Sequence, residues 1–293
     1  MLKKNRISII LIIFIFIISI FIFFKIFTWK SELLFSYPQW QITFAWEIVP
    51  MSDEYYFNKQ RFDKEFLITG NTLYQFYLYI KRYPLFIPDI EQKLKEEDIP
   101  IDFKYLPIAE SALREDVVSS AWAAWIWQFM PVTAERFNLE INEYVDERYN
   151  LEKSTDAAIE YLKILYDKFW NRTLAAASYN RWENGIARAL ESQNVDSYYD
   201  LYLNEETSRY IFRIVAIKYL IESYFDGKWV IDSIIGWAYT KPVTENVSVT
   251  KIDNLFEWAQ KYEQSYKNIK ILNPWILGDS LPEWEWNIKI LKK

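Results

Sequence analysis

The chain has 293 residues, enough for one or two folded domains, and 51% of them are hydrophobic, so it can bury a substantial core. Its formal net charge of -6 argues against nucleic acid as the main partner. Cysteine and histidine are both absent, which excludes disulfides, thiolate metal sites and Ser-His or Cys-His catalysis. Any enzymatic chemistry must therefore use carboxylates, tyrosine, lysine or hydroxyl groups.

The N-terminus predicts a membrane anchor. Residues 7–24 form an almost unbroken apolar run that is close to the length needed to span a bilayer. Basic residues flank this run on both sides and no small-x-small cleavage site follows, which favours a retained anchor over residues 1–30 rather than a cleaved signal peptide. Residues 31–51, which are rich in aromatic side chains, are predicted to form a linker.

The middle of the chain predicts helices. Apolar residues recur at helical spacing from residue 52 to 221, and no strand-like alternation appears there. Pro84 and Pro88 are expected to break one of these helices, with Asp89 capping its continuation. Residues 154–156, Ser-Thr-Asp, predict the start of a long amphipathic helix.

The C-terminal part has a different pattern. Residues 247–250 alternate as a strand, two helical segments capped by Asp253 and Ser265 follow, and residues 286–290 alternate again. This order of strand, helix, helix and strand is similar to a LysM-type glycan-binding module, which is predicted over residues 240–293. A purely structural extension remains the alternative.

Glu110 differs from most of the acidic residues because its neighbours are apolar. A helix over residues 106–113 would place Leu106, Ala109 and Leu113 on the same face as Glu110. Desolvation on such a face raises the pKa of a carboxyl group and keeps a proton available near neutral pH, as a general acid requires. A solvated or paired structural carboxylate is nevertheless more common, so the spacing alone does not decide the role of Glu110.

Three short motifs carry a resemblance to a known family. They are Glu110-Ser111, Ile126-Trp127-Gln128 followed by Met130-Pro131, and Ser178-Tyr179-Asn180. They resemble the Glu-Ser, Leu-Trp-Gln with Met-Pro, and Ala-Tyr-Asn motifs of soluble-lytic-type peptidoglycan transglycosylases, especially the membrane-bound D-type branch of glycoside hydrolase family 23. The resemblance runs from about Phe44 to the C-terminus. It implies a mainly α fold, with a lysozyme-like all-α catalytic domain over residues 52–235 and a cleft between its helices.

The resemblance also implies a reaction and a location. The substrate would be the glycan strand of peptidoglycan, cut at the β-1,4 bond between N-acetylmuramic acid and N-acetylglucosamine. Glu110 would act as acid and then as base, closing a 1,6-anhydro ring on the muramic acid. No second carboxylate is matched, and the family is thought to use the substrate's N-acetyl group instead. The catalytic domain would lie outside the cytoplasmic membrane, and no metal or cofactor is implied.

Six further residues match positions of the family's site. Ser119 and Gln128 match positions that contact the sugars, and Met130 would pack against a sugar ring. Tyr179 would form a hydrogen bond near Glu110 or the acetamido group. The remaining two, Ser111 and Asn180, would hold the site in place around the substrate. Taken singly, Gln128, Met130 and Asn180 are as readily structural residues.

Tryptophan is in excess and glycine is scarce, with 14 Trp and 5 Gly. An average chain of this length would contain roughly 20 glycines. Several tryptophans stand where the resembled family has glycine, namely Trp46, Trp122, Trp125 and Trp182. We hypothesise that they are encoded by UGA codons that the source organism reads as glycine, as some uncultured bacteria do. The alternative is a protein that is genuinely rich in tryptophan, either divergent or inactive.

Two other functions remain open from the sequence. A hydrolytic muramidase of similar fold would release reducing ends in place of anhydro ends. A catalytically inactive protein could use the same cleft to bind glycan strands as a scaffold. The oligomeric state is not predicted.

Overall fold

The computed structural model describes residues 16–22, 37–38, 41–181, 183–226, 236 and 238–292. It contains two compact units, of which one comprises Gln41–Lys218 with Trp237–Lys293 and the other Met1–Trp40 with Tyr219–Gly236. The larger unit is mainly helical and contains the candidate site. In the smaller unit, residues 16–22 form a short exposed helical stretch.

The predicted membrane anchor is only partly covered by the structure. Most of the apolar run over residues 7–24 lies outside the described residues, which include only its segment 16–22. Within the described ranges, no helix is both long enough and apolar enough to cross a membrane.

The larger unit begins with a small hairpin of two antiparallel strands, β1 (Thr43–Phe44) and β2 (Glu47–Ile48). A series of helices follows, and the last of them continues into the smaller unit. They are α1 (Tyr56–Asn71), α2 (Leu73–Glu96), α3 (Leu106–Ser111), α4 (Pro131–Arg136), α5 (Leu151–Phe169), α6 (Arg172–Arg181), α7 (Glu183–Gln193) and α8 (Glu205–Asp226). Single turns of 3-10 helix over Ile101–Tyr105 and Glu147–Tyr149 lead into α3 and α5.

The two prolines do not break their helix, so that prediction was wrong. Helix α2 runs without interruption through Pro84 and Pro88. An internal proline costs about 3 kcal/mol because it removes a hydrogen bond and crowds the preceding turn. This part of α2 buries Phe86, Ile87 and Ile90. Burial of three such apolar side chains contributes enough free energy to offset the cost of the prolines.

Helix α5 begins earlier than predicted. Its N-cap is Asn150, whose side-chain oxygen accepts hydrogen bonds from the backbone N–H groups of Glu152 (3.1 Å) and Lys153 (3.2 Å). The predicted cap over residues 154–156 therefore lies inside the first turns of the helix. Both asparagine and serine are favoured at N-caps, so the sequence pattern alone did not distinguish the two positions.

The hairpin lies in the segment that was predicted to be a linker, and it is tied to the helical body. The Asp102 carboxylate accepts from the backbone N–H of Ala45 and from Lys218 Nζ, each at 2.7 Å. The Glu47 carboxylate accepts from the backbone N–H groups of Arg172 (2.6 Å) and Thr173 (2.8 Å). Because these N–H groups begin α6, Glu47 caps that helix. Its negative charge also interacts favourably with the positive N-terminal end of the helix dipole.

Three of the four tryptophans that were singled out have a backbone conformation that favours glycine. The φ angle is +69° at Trp46, +64° at Trp122 and +62° at Trp125. Trp170, which follows α5 as its C-cap, also has a positive φ of +49°. Left-handed backbone costs a residue with a Cβ roughly 1–2 kcal/mol and costs glycine almost nothing. Trp182 lies outside the described residues.

The C-terminal module has the predicted order of elements. Strand β3 (Thr244–Val249) is followed by α9 (Leu255–Lys261), α10 (Tyr266–Leu272) and β4 (Trp286–Leu291). The two strands pair in antiparallel register from Thr244↔Leu291 to Val249↔Trp286. Ser265 caps α10 as predicted, by accepting from the backbone N–H of Asn268 (3.1 Å).

One helix cap in the module was wrongly predicted. Asn254, not Asp253, caps α9, because its side-chain oxygen accepts from the backbone N–H groups of Phe256 (3.0 Å) and Glu257 (3.1 Å). Asp253 pairs instead with Lys251 Nζ at 2.6 Å. A cap must stand directly before the first helical residue, and only Asn254 does so here.

Candidate active site

Glu110 lies in the last turn of a very short helix. Helix α3 ends at Ser111 because Ala112 and Leu113 have left-handed backbone, with φ angles of +58° and +55°. Leu113 therefore does not share a helical face with Glu110, which corrects the prediction, although Leu113 is buried. Arg82 Nη1 donates to the carbonyl oxygen of Ala112 at 3.1 Å and holds this turn.

A cleft of about 390 Å³ opens beside Glu110. Helices α3, α5, α6 and α8 line it together with the start of α4 and the loop between α3 and α4, residues 112–130, which we call the cleft loop. The cleft brings together residues that are far apart in the sequence. The residues of the cleft that carry polar or soft groups are Glu110, Ser119, Gln128, Met130, Thr133, Tyr161, Tyr179, Asn180, Glu206, Tyr210 and Arg213. All predicted site residues except Ser111 are among them.

The carboxyl group of Glu110 has a strongly raised pKa. Burial in the cleft is the main cause and raises its pKa from 4.5 to about 7. A hydrogen bond from Tyr210 and the charge of Arg213 act in the opposite direction, whereas the charge of Glu206 adds to the increase. Near neutral pH, a carboxyl group with this pKa can both donate and accept a proton.

Tyr210 is the partner of Glu110 that sequence reasoning missed. Its hydroxyl group donates to Glu110 Oε1 at 2.5 Å, from a position 100 residues later in the chain. Tyr210 is fully buried on α8, and burial together with the Glu110 charge raises its own pKa well above the usual range. These effects favour the protonated form of Tyr210, in which its hydroxyl group is a hydrogen-bond donor.

Tyr179 lies in the cleft, but its hydroxyl group is bonded to the backbone. It donates to the carbonyl oxygen of Trp127 at 3.0 Å, and its ring packs near those of Trp127, Phe129 and Tyr161. Its pKa is raised well above the usual range, first by burial and then by the charge of Glu110. Tyr179 thus joins α6 to the cleft loop and contributes a neutral aromatic surface near the acid.

Ser119 and Gln128 stabilise the cleft loop internally while lining the cleft. Ser119 Oγ accepts from the backbone N–H groups of Ala121 (3.3 Å) and Ala123 (3.0 Å). Gln128 Nε2 donates to the carbonyl oxygens of Trp125 (2.6 Å) and Val117 (3.3 Å). These bonds use the acceptor of Ser119 and the amino group of Gln128, so a ligand in the cleft meets the serine O–H donor and the glutamine Oε1 acceptor.

Ser111 is placed outside the cleft. It is buried, and its Oγ lies 2.9 Å from the carbonyl oxygen of Pro107 and 3.0 Å from that of Ile126. This position connects the Glu110 turn to the cleft loop, and it removes Ser111 from any direct contact with a ligand.

Among the described residues, no three His, Cys, Asp or Glu side chains are grouped closely enough to hold a metal ion.

The module contains a second cavity, of about 500 Å³, between its loops. The residues that line it are Asp253, Asn254, Phe256, Tyr266, Asp279 and Ser280. Tyr266 donates to Asp279 Oδ1 at 2.5 Å across this cavity. An aromatic ring beside several polar acceptors is the combination that sugar ligands require, since sugars present both C–H faces and hydroxyl groups.

The body is helical and has a cleft that contains Glu110, which is the arrangement that the sequence motifs predicted. Comparison with known families gives two matches. Residues 89–201 match the transglycosylase SLT domain, and residues 245–292 match the soluble lytic transglycosylase C-terminal LysM-like domain. One part of the chain is thus similar to an SLT domain and a later part to a LysM-like C-terminal domain, in the order that the sequence motifs predicted.

Individual relatives cover the catalytic part. The chain is similar to membrane-bound lytic murein transglycosylase D of Escherichia coli strain K12, with 29% identity over 141 residues. That match covers 46% of this chain and 31% of the relative, so the chain spans about a third of the relative's length. It is also similar to a putative tributyltin chloride resistance protein of Alteromonas sp. strain M-1, with 27% identity over 106 residues. That second match covers 35% of this chain and 50% of the relative.

Proposed function

We propose that this protein is a lytic transglycosylase that cleaves the glycan strands of peptidoglycan. The observation that carries the proposal is Glu110, whose pKa is raised to about 7 by burial. It lies in a cleft lined by the motif residues Ser119, Gln128, Met130 and Tyr179. The SLT domain match and the similarity to lytic murein transglycosylase D support the same activity.

The proposed reaction uses Glu110 twice. Protonated Glu110 gives its proton to the glycosidic oxygen that leaves with N-acetylglucosamine, and the bond from that oxygen to C1 of N-acetylmuramic acid breaks. The acetamido group of the substrate stabilises the positive charge that develops at C1. Ionised Glu110 then takes the proton from the muramic acid O6, O6 bonds to C1, and the 1,6-anhydro ring closes. A pKa near 7 allows both transfers without a large penalty for either state.

Tyr210 supports the first half of this cycle. Its hydroxyl group donates to Glu110 Oε1, which stabilises the ionised carboxylate that forms after the first proton transfer. Met130, Tyr179 and Asn180 contribute the cleft surface on which the sugar rings lie. Ser111 acts at a distance, by holding the Glu110 turn against the cleft loop.

A hydrolytic muramidase is the second candidate, and one observation favours it. Glu206 lies in the same cleft as Glu110, although no sequence motif matched a second carboxylate there. A second carboxylate could activate water in place of the muramic acid O6, as in two-carboxylate glycosidases. An inactive glycan-binding scaffold, the third candidate, is disfavoured by the raised pKa of Glu110.

Digestion of purified sacculi separates these functions. Wild-type protein should release 1,6-anhydromuropeptides, and Glu110→Gln should release none, because the amide has no proton to donate. Glu206→Gln should retain the anhydro products. If wild-type protein instead releases products with reducing ends, and Glu206→Gln does not, the protein is a hydrolytic muramidase. If wild-type protein releases no products, the inactive scaffold is the function that remains.

The arrangement that we propose for the whole chain follows from its segments. Residues 1–30 anchor the protein in the cytoplasmic membrane, residues 31–51 connect the anchor to the body, and residues 52–235 form the catalytic domain on the outer side. Residues 240–293 bind glycan through the cavity between the module's loops. Membrane fractionation of the full chain, compared with a chain in which two leucines or isoleucines of residues 7–24 are replaced by lysine, tests the anchor.

A further inference from the structure

A buried ion pair outside the cleft holds the loop that forms the cleft wall. Arg148 Nε and Nη2 donate to the two carboxylate oxygens of Asp146, at 2.9 and 2.6 Å. The side chains of Arg148 and Asp146 are only 8% and 6% exposed. The remaining guanidinium nitrogen of Arg148, Nη1, donates to the carbonyl oxygens of Trp122 (2.6 Å) and Phe129 (3.1 Å). A single side chain thus ties together two distant points of the same loop.

Those two carbonyl groups belong to the loop that presents Ser119, Gln128 and Met130 to the cleft. The loop has left-handed backbone at Trp122, Trp125 and Gln128. It is held internally by backbone turns, by the bonds of Ser119 and Gln128, and by isolated bridges such as Ala124↔Phe129. Left-handed backbone at residues other than glycine persists only where surrounding contacts hold it, so the bonds from Arg148 act as an external tether for this conformation.

The same ion pair is joined to the C-terminal module. The backbone N–H of Asp146 donates to the carbonyl oxygen of Trp275 at 2.9 Å, and the backbone N–H of Leu277 donates to the carbonyl oxygen of Tyr144 at 2.8 Å. Val145 is fully buried within the hydrophobic core of the module. Residues 144–148 therefore contact the module on one side and, through Arg148, the cleft loop on the other.

We propose that Arg148 is a positioning residue for glycan binding and that the C-terminal module supports the cleft wall through residues 144–148. The inference rests on the proposed function, since it concerns the same cleft. Arginine is required because its planar fork pairs with the Asp146 carboxylate along one edge and keeps Nη1 for two carbonyl oxygens. A lysine ammonium could neutralise Asp146 but could not reach all of these acceptors in the same geometry.

The test measures binding separately from cleavage. The background is Glu110→Gln, which cannot turn over substrate, combined with Phe256→Ala, which removes an exposed aromatic ring from the module's cavity. Calorimetry with a hexamer of N-acetylglucosamine in this background measures the affinity of the cleft. Arg148→Lys and Asp146→Asn should each weaken this binding about tenfold, because the loop populates conformations that do not accept the sugar. Val145→Ala, which loosens the contact with the module, should weaken it by a smaller factor, about threefold.

Asp102→Asn is the matched control. Asp102 is the carboxylate of another buried ion pair, with Lys218, and the substitution makes the same chemical change as Asp146→Asn. Its partners lie in the β1–β2 hairpin and α8 and not in the cleft loop. Asp102→Asn should lower the melting temperature as Asp146→Asn does, but leave the affinity for the hexamer unchanged.

The outcomes separate this inference from the proposed function. If Arg148→Lys and Asp146→Asn change only the melting temperature, like Asp102→Asn, Arg148 is a structural residue and the inference is overturned. If the parent with Glu110→Gln and Phe256→Ala binds no hexamer at all, the proposed glycan function fails, and the inference fails with it. In the active protein, the predicted pattern for Arg148→Lys is a raised KM with a much smaller change in kcat.

Discussion

At the scale of single residues, the chemistry of the cleft depends on the proton of Glu110. Its pKa is raised to about 7 because burial outweighs the two groups that favour the ionised form. Tyr210 and Arg213 favour the ionised form and Glu206 opposes it. All three are separate side chains of α8. The pKa can therefore be moved in either direction by changing one side chain at a time.

The first prediction concerns the pH profile of glycan cleavage. Glu110 must carry a proton to begin the reaction, so kcat/KM should fall as the pH rises past about 7. Tyr210→Phe removes a hydrogen bond to the carboxylate, which raises the pKa of Glu110 and moves this alkaline limb to higher pH. Glu206→Gln removes a negative charge, which lowers the pKa of Glu110 and moves the limb to lower pH.

Glu205→Gln is the control for this pair. Glu205 precedes Glu206 in the sequence, but it is exposed and pairs with Lys64 and Arg209 outside the cleft. It should leave the limb in place. A shift of the limb in the same direction for Tyr210→Phe and Glu206→Gln would contradict the assigned causes.

The second prediction concerns stability. Because the folded protein raises the pKa of Glu110 from 4.5 to about 7, the folded state holds this proton more tightly than the unfolded state. Stability from this group is present below pH 4.5 and is lost as the pH rises to about 7. Glu110→Gln removes the penalty, so its advantage in unfolding free energy over wild type should grow by about 3 kcal/mol between pH 4 and pH 8. Urea denaturation at the two pH values measures it, and an advantage that does not grow with pH would contradict the raised pKa.

The third prediction concerns the tryptophans in left-handed backbone. Trp122 and Trp170 are 71% and 76% exposed, so their side chains bury little surface in return for the strained backbone. Trp122→Gly and Trp170→Gly should each increase the unfolding free energy by about 1 kcal/mol. Trp284→Gly is the control, because Trp284 is similarly exposed, at 66%, but is not among the residues with positive φ.

The tryptophans in left-handed backbone also bear on the recoding hypothesis. Trp125 adds a further sign, since its buried indole N–H has no hydrogen-bond partner in the structure of the described residues. We expect UGA at codons 46, 122, 125 and 182, as the family resemblance indicated, and also at codon 170, where only the backbone indicates glycine. UGG codons, or tryptophan in peptides of the native protein, would contradict the recoding hypothesis.

At the scale of elements, helix ends show what a local pattern can and cannot predict. Ser265 was predicted as a cap because it stands directly before an apolar helical run, and the structure confirms it. Glu47 could not be predicted, since it caps α6 from 125 residues away. Likewise, Tyr210 reaches Glu110 across 100 residues, and only tertiary packing brings them together. Local spacing and the family motifs together predicted Glu110 as the acid, but the partner that adjusts its pKa could be found only from the fold.

The fourth prediction tests the corrected cap of α9. Asn254→Ala should lower the unfolding free energy by about 1 kcal/mol, because it removes the acceptor for two N–H groups at the start of the helix. Asp253→Ala should have little effect, since Asp253 is exposed and only forms a surface pair with Lys251. Guanidinium denaturation of both variants measures the difference. A larger loss for Asp253→Ala than for Asn254→Ala would mean that Asp253 caps the helix, as the sequence pattern predicted.

At the scale of the whole molecule, composition and periodicity predicted the division into a helical body and a terminal β-α-α-β module. They could not predict that the two share contacts. Val145 belongs to the body by sequence, yet it is buried in the core of the module. No alternation or cap around Val145 indicates this, because the loop pairs with itself at Ile141↔Asp146 and reaches the module only through the bridge Val145↔Ile276, between residues far apart in the sequence. The cleft loop and the module are therefore linked in a way that only the fold reveals.

The last prediction follows from that shared core. Two segments that bury a common side chain and exchange backbone hydrogen bonds cannot unfold independently without exposing it. The body and the module should therefore unfold in one calorimetric transition, with equal calorimetric and van't Hoff enthalpies. Val145→Asp places a charge in the core of the module and should split the transition in two. Val132→Asp is the control, because Val132 is 56% exposed on α4 and should leave one transition. Two transitions in wild type would mean that the module folds on its own and does not support the cleft wall.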